Sequence, residues 1–115
     1  MRAAVATALL LLSGCVQTDV SDATIHLDQE GGPADLSSST SCPDAAVLDL
    51  SVTVRDGNIR VRARDGAGAV VFDETYEAPD GGETQRSLFG APGGWTLAAD
   101  STAFDGRLDA TLSCD

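Results

Sequence analysis

Val47-Leu48-Asp49-Leu50-Ser51-Val52-Thr53-Val54-Arg55-Asp56-Gly57-Asn58-Ile59-Arg60-Val61-Arg62-Ala63-Arg64 is the stretch that decides the fold class of this chain. Leu48, Leu50, Val52 and Val54 alternate with Asp49, Ser51 and Thr53, the period of a half-buried strand. Beyond Asp56-Gly57, Ile59, Val61 and Ala63 take one face while Arg60, Arg62 and Arg64 take the other. Asp-Gly is a preferred pair for a tight two-residue turn, so the stretch predicts a β-hairpin centred there. In that register Val54 faces Ile59, Val52 faces Val61, Leu50 faces Ala63, and Asp49 meets Arg64 on the outer face. A slip of one residue would set the apolar side chains against the arginines.

Downstream, Asp65-Gly66-Ala67-Gly68 reads as a second turn leading into residues 69–76, pairing Val61 with Phe72 and Arg60 with Asp73. Pro79-Asp80-Gly81-Gly82 breaks the chain before a weaker strand over residues 83–89. After Gly90-Ala91-Pro92-Gly93-Gly94, the residues Trp95, Leu97 and Ala99 alternate with Thr96 and Ala98. A last strand follows Asp105-Gly106, with Leu108, Ala110, Leu112 and Cys114 on one face. Six strands separated by turns, with no amphipathic helix after the N-terminal run, predict an all-β fold, a small antiparallel β-sandwich or barrel. Gly93-Gly94-Trp95-Thr96-Leu97 with Phe104-Asp105-Gly106-Arg107-Leu108 is similar to the closing hairpin of Ig-like and jelly-roll-like modules. That likeness carries no functional residue with it.

Upstream, residues 15–41 are polar and rich in Ser, Thr and Gly, including Ser37-Ser38-Ser39-Thr40-Ser41. Such composition predicts a flexible tether. Only Ala23-Thr24-Ile25-His26-Leu27 alternates, as an edge strand would.

At the N-terminus a single Arg2 precedes an apolar run over residues 3–12. That run is too short to cross a hydrocarbon core, which needs about 20 helical residues. It matches the charged and apolar regions of a secretory signal peptide. Leu12-Ser13-Gly14-Cys15 then resembles the lipobox of bacterial lipoproteins. The resemblance implies removal of residues 1–14 and lipidation of Cys15, through a thioether lipid and an amide-linked acyl chain such as palmitate. Several chains hold a protein on a membrane where one is marginal. In the enterobacterial family an Asp after the cysteine favours inner-membrane retention. Val16 therefore implies the outer membrane, in a cell envelope that has one. On this reading residues 1–14 are the signal peptide, 15–41 the lipidated cysteine and tether, and 42–115 the β-sandwich domain.

With Cys15 assigned to lipid, Cys42 and Cys114 remain as an even pair in an oxidising compartment. They are too far apart for a CxxC redox motif, and the pair is expected to form a structural disulfide.

The chain has 18 acidic against 7 basic residues, a net charge of −11, and contains no lysine. Nucleic acid and anionic headgroups need a basic patch to hold them, so this balance argues against both. His26 is the only histidine, and no second His or free Cys completes a zinc site around it. No Gly-x-Ser-x-Gly elbow accompanies it either, so no catalytic residue is assigned. Asp56, Asp65, Asp80 and Asp105 each precede a glycine, but Asp-Gly is first a turn dipeptide, and no calcium loop is spelled out. No metal or cofactor is expected. Arg60, Arg62 and Arg64 read as a ladder of cross-strand pairs with Asp49 and Asp73, or as a surface for an acidic partner or glycan. The functional expectation is a non-catalytic envelope lipoprotein serving as a structural or protein-interaction module. The alternative is a carbohydrate- or small-ligand-binding lipoprotein using the sandwich loops. An exposed Trp95 or Tyr76 beside a concave surface would favour the latter.

Overall fold

The computed structural model describes residues 22–114, so the lipobox-like stretch and Cys15 lie outside the described residues. The described chain is all-β. Its strands are β1 (Ala23–Glu30), β2 (Ala34–Cys42), β3 (Ala45–Arg64), β4 (Val70–Glu77), β5 (Asp80–Phe89), β6 (Gly93–Ser101) and β7 (Phe104–Cys114). All pairings are antiparallel.

β3 organises the molecule. Its first half lies between β7 and β5, with Leu48 opposite Leu112 on one side and Arg86 on the other. Its second half lies between β6 and β4, with Ala63 opposite Leu97 and Phe72. One sheet is therefore β1-β7-β3-β5 and the other β2-β6-β3-β4. Leu48, Leu50, Val52 and Val54 point from the first sheet, and Ile59, Val61 and Ala63 from the second, into one core with Trp95, Leu97, Phe104, Leu108 and Leu112.

The hairpin expected at Asp56-Gly57 is not formed. The chain does reverse there, but its arms go to opposite sheets and face each other across the core. Val52 is paired with Gly82 and Leu108, and not with Val61. The reversal is a bulged corner: the β3–β7 register shifts between Val54 and Asp56, and Gly57 then sits opposite Phe104. Gly57 has a φ of +80°, and a Cβ built on it would lie 2.0 Å from the Ala103 carbonyl oxygen. Asn58 donates its backbone N–H to that same oxygen at 2.9 Å, which seals the corner against the β6–β7 loop. Two apolar faces that each need covering bury more surface facing each other than lying side by side.

Three further expectations are corrected. Phe72 pairs with Ala63, and Asp73 with Arg62, a shift of two residues that keeps every side chain on its expected face. Asp49 lies opposite Gln85 and Thr111, far from Arg64, because the halves of β3 are in different sheets. The tether assigned over residues 15–41 is ordered from Ala23 onward: β1 and β2 are edge strands beside β7 and β6, and with the two expected hairpin arms merged into the single β3, seven strands replace six. The strand suggested at residues 23–27 is present and runs on to Glu30.

The expected covalent staple is present. Cys42 and Cys114 are bonded, with Cα atoms 5.2 Å apart, and join the end of β2 to the end of β7. Cys42 is buried; Cys114, opposite the buried Ala46 and in phase with Leu112, lies on the inward face as expected and is exposed only because it ends β7 at the open end of the sandwich.

Candidate functional site

The outer face of the second sheet is where the arginine row lies. Arg60, Arg62 and Arg64 of β3 stand beside Asp100, Ala98 and Thr96 of β6, which in turn lie beside Asp35, Ser37 and Ser39 of β2. The small residues leave the long guanidinium side chains lying over a flat floor. Arg60 forms a two-pronged pair with Asp73, at 2.9 Å from Nε and 2.7 Å from its terminal nitrogen. Arg62 donates to Asp100 at 3.1 Å, and Arg64 donates to the Gly68 carbonyl at 3.1 Å. Asp73 takes the neutralising role expected of it, and Asp100 replaces Asp49. The Arg60 hydrogen bond and charge hold the Asp73 carboxyl below the usual range and raise the Arg60 guanidinium in return. Arg62 keeps one donor, Nε, buried without a partner. A shallow groove of about 590 Å³ runs past it, floored by Ala34 and Ala98 and bordered by Asp35, Asp100 and Ser101.

The outer face of the first sheet is polar and acidic. A groove of about 520 Å³ there is bordered by Asp49, Ser51, Glu83, Gln85, Asp109 and Thr111. His26 lies opposite Asp109 and is hydrogen-bonded to it through Nδ1. This contact, foremost among several, holds the Asp109 carboxyl below its ordinary range. Ser51 faces Asp109 from β3, on the side away from His26. The order along the row is His-Asp-Ser, which places the carboxylate in the middle. A nucleophilic relay needs the imidazole there, between hydroxyl and carboxylate.

The four Asp-Gly pairs have separate structural tasks. Asp56 and Asp80 each accept the N–H of the following glycine, at 3.0 Å and 2.9 Å. Asp105 accepts from Arg55 at 2.9 Å. Asp65 is buried and ties two loops together. Its Oδ1 accepts from the N–H groups of Ala67 and Ala69 at 2.9 Å and 3.0 Å, and its Oδ2 from that of Ala91 at 2.9 Å. These N–H donors, Ala91 first, hold the carboxyl below its usual range against the opposing effect of burial. Among the described residues no group of three or more His, Cys, Asp or Glu is placed to hold a metal ion.

Trp95 is fully buried, and its indole N–H donates to the Ala91 carbonyl at 2.8 Å. Tyr76 is half-buried between β4 and β5, and burial raises its phenol above the ordinary value. Beside it the Arg86 guanidinium lies over the Phe72 ring, 5.5 Å from the centroid, closing that open side of the sandwich. Sequence reasoning missed the Asp65 clip and the Arg62–Asp100 pair. The first had no signal beyond a turn dipeptide, and the second joins residues whose proximity depends on sheet order.

No protein-family model matches this chain, and comparison with curated proteins gives no match.

Proposed function

We propose that this chain is a non-catalytic envelope lipoprotein, displayed on a membrane surface through lipid on Cys15, whose β domain is a protein-interaction module. The observation that carries the reading is the lipobox-like Leu12-Ser13-Gly14-Cys15, with only residues 16–22 between it and the start of β1 at Ala23. A domain stapled at that end by Cys42–Cys114 suits an oxidising envelope. The arginine floor of the second sheet supplies the docking surface. Arg64 is exposed and its hydrogen bond goes to the Gly68 carbonyl and not to a carboxylate, which leaves its charge open, and the small Ala98 and Ser37 beside the row permit close approach. An acidic protein segment is the partner such a surface suits. Trp95 is committed to the core and Tyr76 is half-buried, so neither ring offers a fully exposed platform for stacking on a sugar.

The test is fractionation with mass analysis. The chain should partition with membranes and carry a lipid mass on Cys15, and Cys15→Ser should release it. Unchanged partitioning of the serine variant would refute the anchor. Arg64→Glu in the anchored protein should abolish capture of the acidic partner while leaving the fold intact. Undiminished capture would move the docking face elsewhere.

A further inference from the structure

The two ends of the sandwich differ in chemistry. One end gathers the β1–β2, β4–β5 and β6–β7 connections with the Asp56-Gly57 corner, and there Arg55, Asp56, Asp80 and Asp105 cluster. The other end gathers the Cys42–Cys114 bond, the β3–β4 loop and the β5–β6 loop. Residues 66–70 and 89–94 at that end contain only Gly, Ala, Pro, Val and Phe, without one charged side chain, in a protein of net charge −11. Among the described residues the exposed large hydrophobics are Val70 at 46 % and Phe89 at 72 %, and both are at this end.

The loops are built as one surface. Asp65 bonds its own loop and Ala91 of the other, and Gly66 donates its N–H to the Ala91 carbonyl at 3.0 Å. A Cβ on Gly66 would come within 2.0 Å of the Pro92 carbonyl oxygen, so the backbones touch. Gly90 donates to the Asp44 carbonyl at 3.0 Å, attaching the β2–β3 turn as well. The Asp65 charge is consumed within this knot, and the exposed charges at this end stand around the loop tips: Asp44, Asp22 just before β1, and Arg64, which donates to the Gly68 carbonyl.

β1 also begins here, with Ala23 opposite Leu112. Residues 16–22 reach roughly 28 Å even when fully extended from Cys15 to Ala23. One arm of a strand pair the length of the first half of β3 is itself about 30 Å long. The end with the Gly- and Ala-rich loops therefore reaches a bilayer without cost, and the opposite end reaches it only if the linker lies taut along the whole domain.

Resting on lipidation of Cys15, we propose that this end, with its two uncharged loop tips, is the membrane-facing foot of the domain, with Phe89 and Val70 resting in the headgroup layer of the bilayer that holds the lipid. Apolar side chains at an interface add a second hold to acyl chains. The acidic remainder of the surface would be directed away from the membrane, and the arginine floor would stand sideways, open to a partner.

The experiment uses the full lipidated chain in vesicles of phosphatidylcholine and phosphatidylethanolamine, with Phe89→Trp as the probe. Thr102→Trp, in the β6–β7 connection at the far end, is the control. Trp95 is buried in both and gives a constant background. Phosphatidylcholine brominated on its acyl chains should quench and blue-shift the Phe89→Trp emission at least twofold more than that of Thr102→Trp. Equal quenching of the two in vesicle-bound protein overturns the foot while leaving the anchor standing. A lipid-free Cys15 by mass overturns both. Concentration-dependent self-association lost in Phe89→Asp, without quenching, would assign the face to a second copy and also overturn the proposal.

Discussion

Asp65 of the β3–β4 loop and Ala91 of the β5–β6 loop are joined by a carboxylate-to-backbone hydrogen bond of 2.9 Å. Two connections from distant parts of the chain are thereby made into one rigid end. Below the carboxyl's folded-state pKa the charge that accepts these N–H groups is lost. Because that value is depressed relative to the unfolded ~3.9, the contribution is complete above about pH 4 and disappears as pH falls through the folded value. Asp65→Asn should lower Tm at pH 7 by several degrees. It should also flatten the fall in Tm below about pH 4, as followed by circular dichroism. An unchanged acid limb would show that the clip is not a determinant of acid stability.

Cys42 and Cys114 are 72 positions apart. Closing a loop of that length restricts the unfolded chain by about 4 kcal/mol in the chain-entropy model. The paired Cys42→Ala and Cys114→Ser variant should lose about that much in urea unfolding, out of the ~5–15 kcal/mol available to a domain. Mass analysis of the oxidised parent should show two hydrogens fewer than the free-thiol chain. Two alkylatable thiols in the oxidised parent would contradict the bond.

Gly57 and Gly68 both have positive φ, at +80° and +86°, but differ in their surroundings. A Cβ on Gly68 meets nothing within 4 Å, whereas one on Gly57 runs into Ala103. Gly68→Ala should cost only the left-handed backbone penalty, about 1–2 kcal/mol. Gly57→Ala should cost clearly more, because the corner must also open. Equal losses in denaturant titrations would mean that the corner is soft.

Trp95 has no exposed surface and fills the core between the sheets. Trp95→Ala should cost about 3–5 kcal/mol, enough to leave a domain of this size marginal. As the only tryptophan, it should emit at short wavelength in the folded parent and resist aqueous quenchers. Solvent-like emission from the folded protein would contradict its burial.

Much of the fold was legible where inward positions are apolar. The strands β3, β6 and β7 carry Leu, Val, Ile, Trp and Ala at every second place, and their inward faces agree with the reading. β2 has the same period, with Ala34, Leu36, Ser38, Thr40 and Cys42 as its less exposed positions. Hydroxyl side chains at Ser38 and Thr40 hide that period from any hydropathy pattern, so the segment read as tether. β5, expected as a weaker strand over residues 83–89, is present over 80–89; its signal is faint because it is polar on both faces and buries only Leu88, being an edge strand against β3 alone. Asp56-Gly57 signalled a reversal correctly, but a local dipeptide does not say whether the returning arm rejoins its own sheet or crosses to the other. Arg60 found Asp73 in spite of a register off by two, because long side chains bridge diagonal neighbours. Arg62 with Asp100 needed the sheet order, which no local pattern contains.

β7 is neighbour to β1 on one side and to β3 on the other. β7 leaves the ribosome after β1–β6, yet it is the strand that β1 requires, and without it β1 has no hydrogen-bonding partner in its sheet. Synthesis order and assembly order are opposed in this chain. A stalled or truncated product lacking the final 11-residue strand would expose both β1 and one side of β3 as open edges.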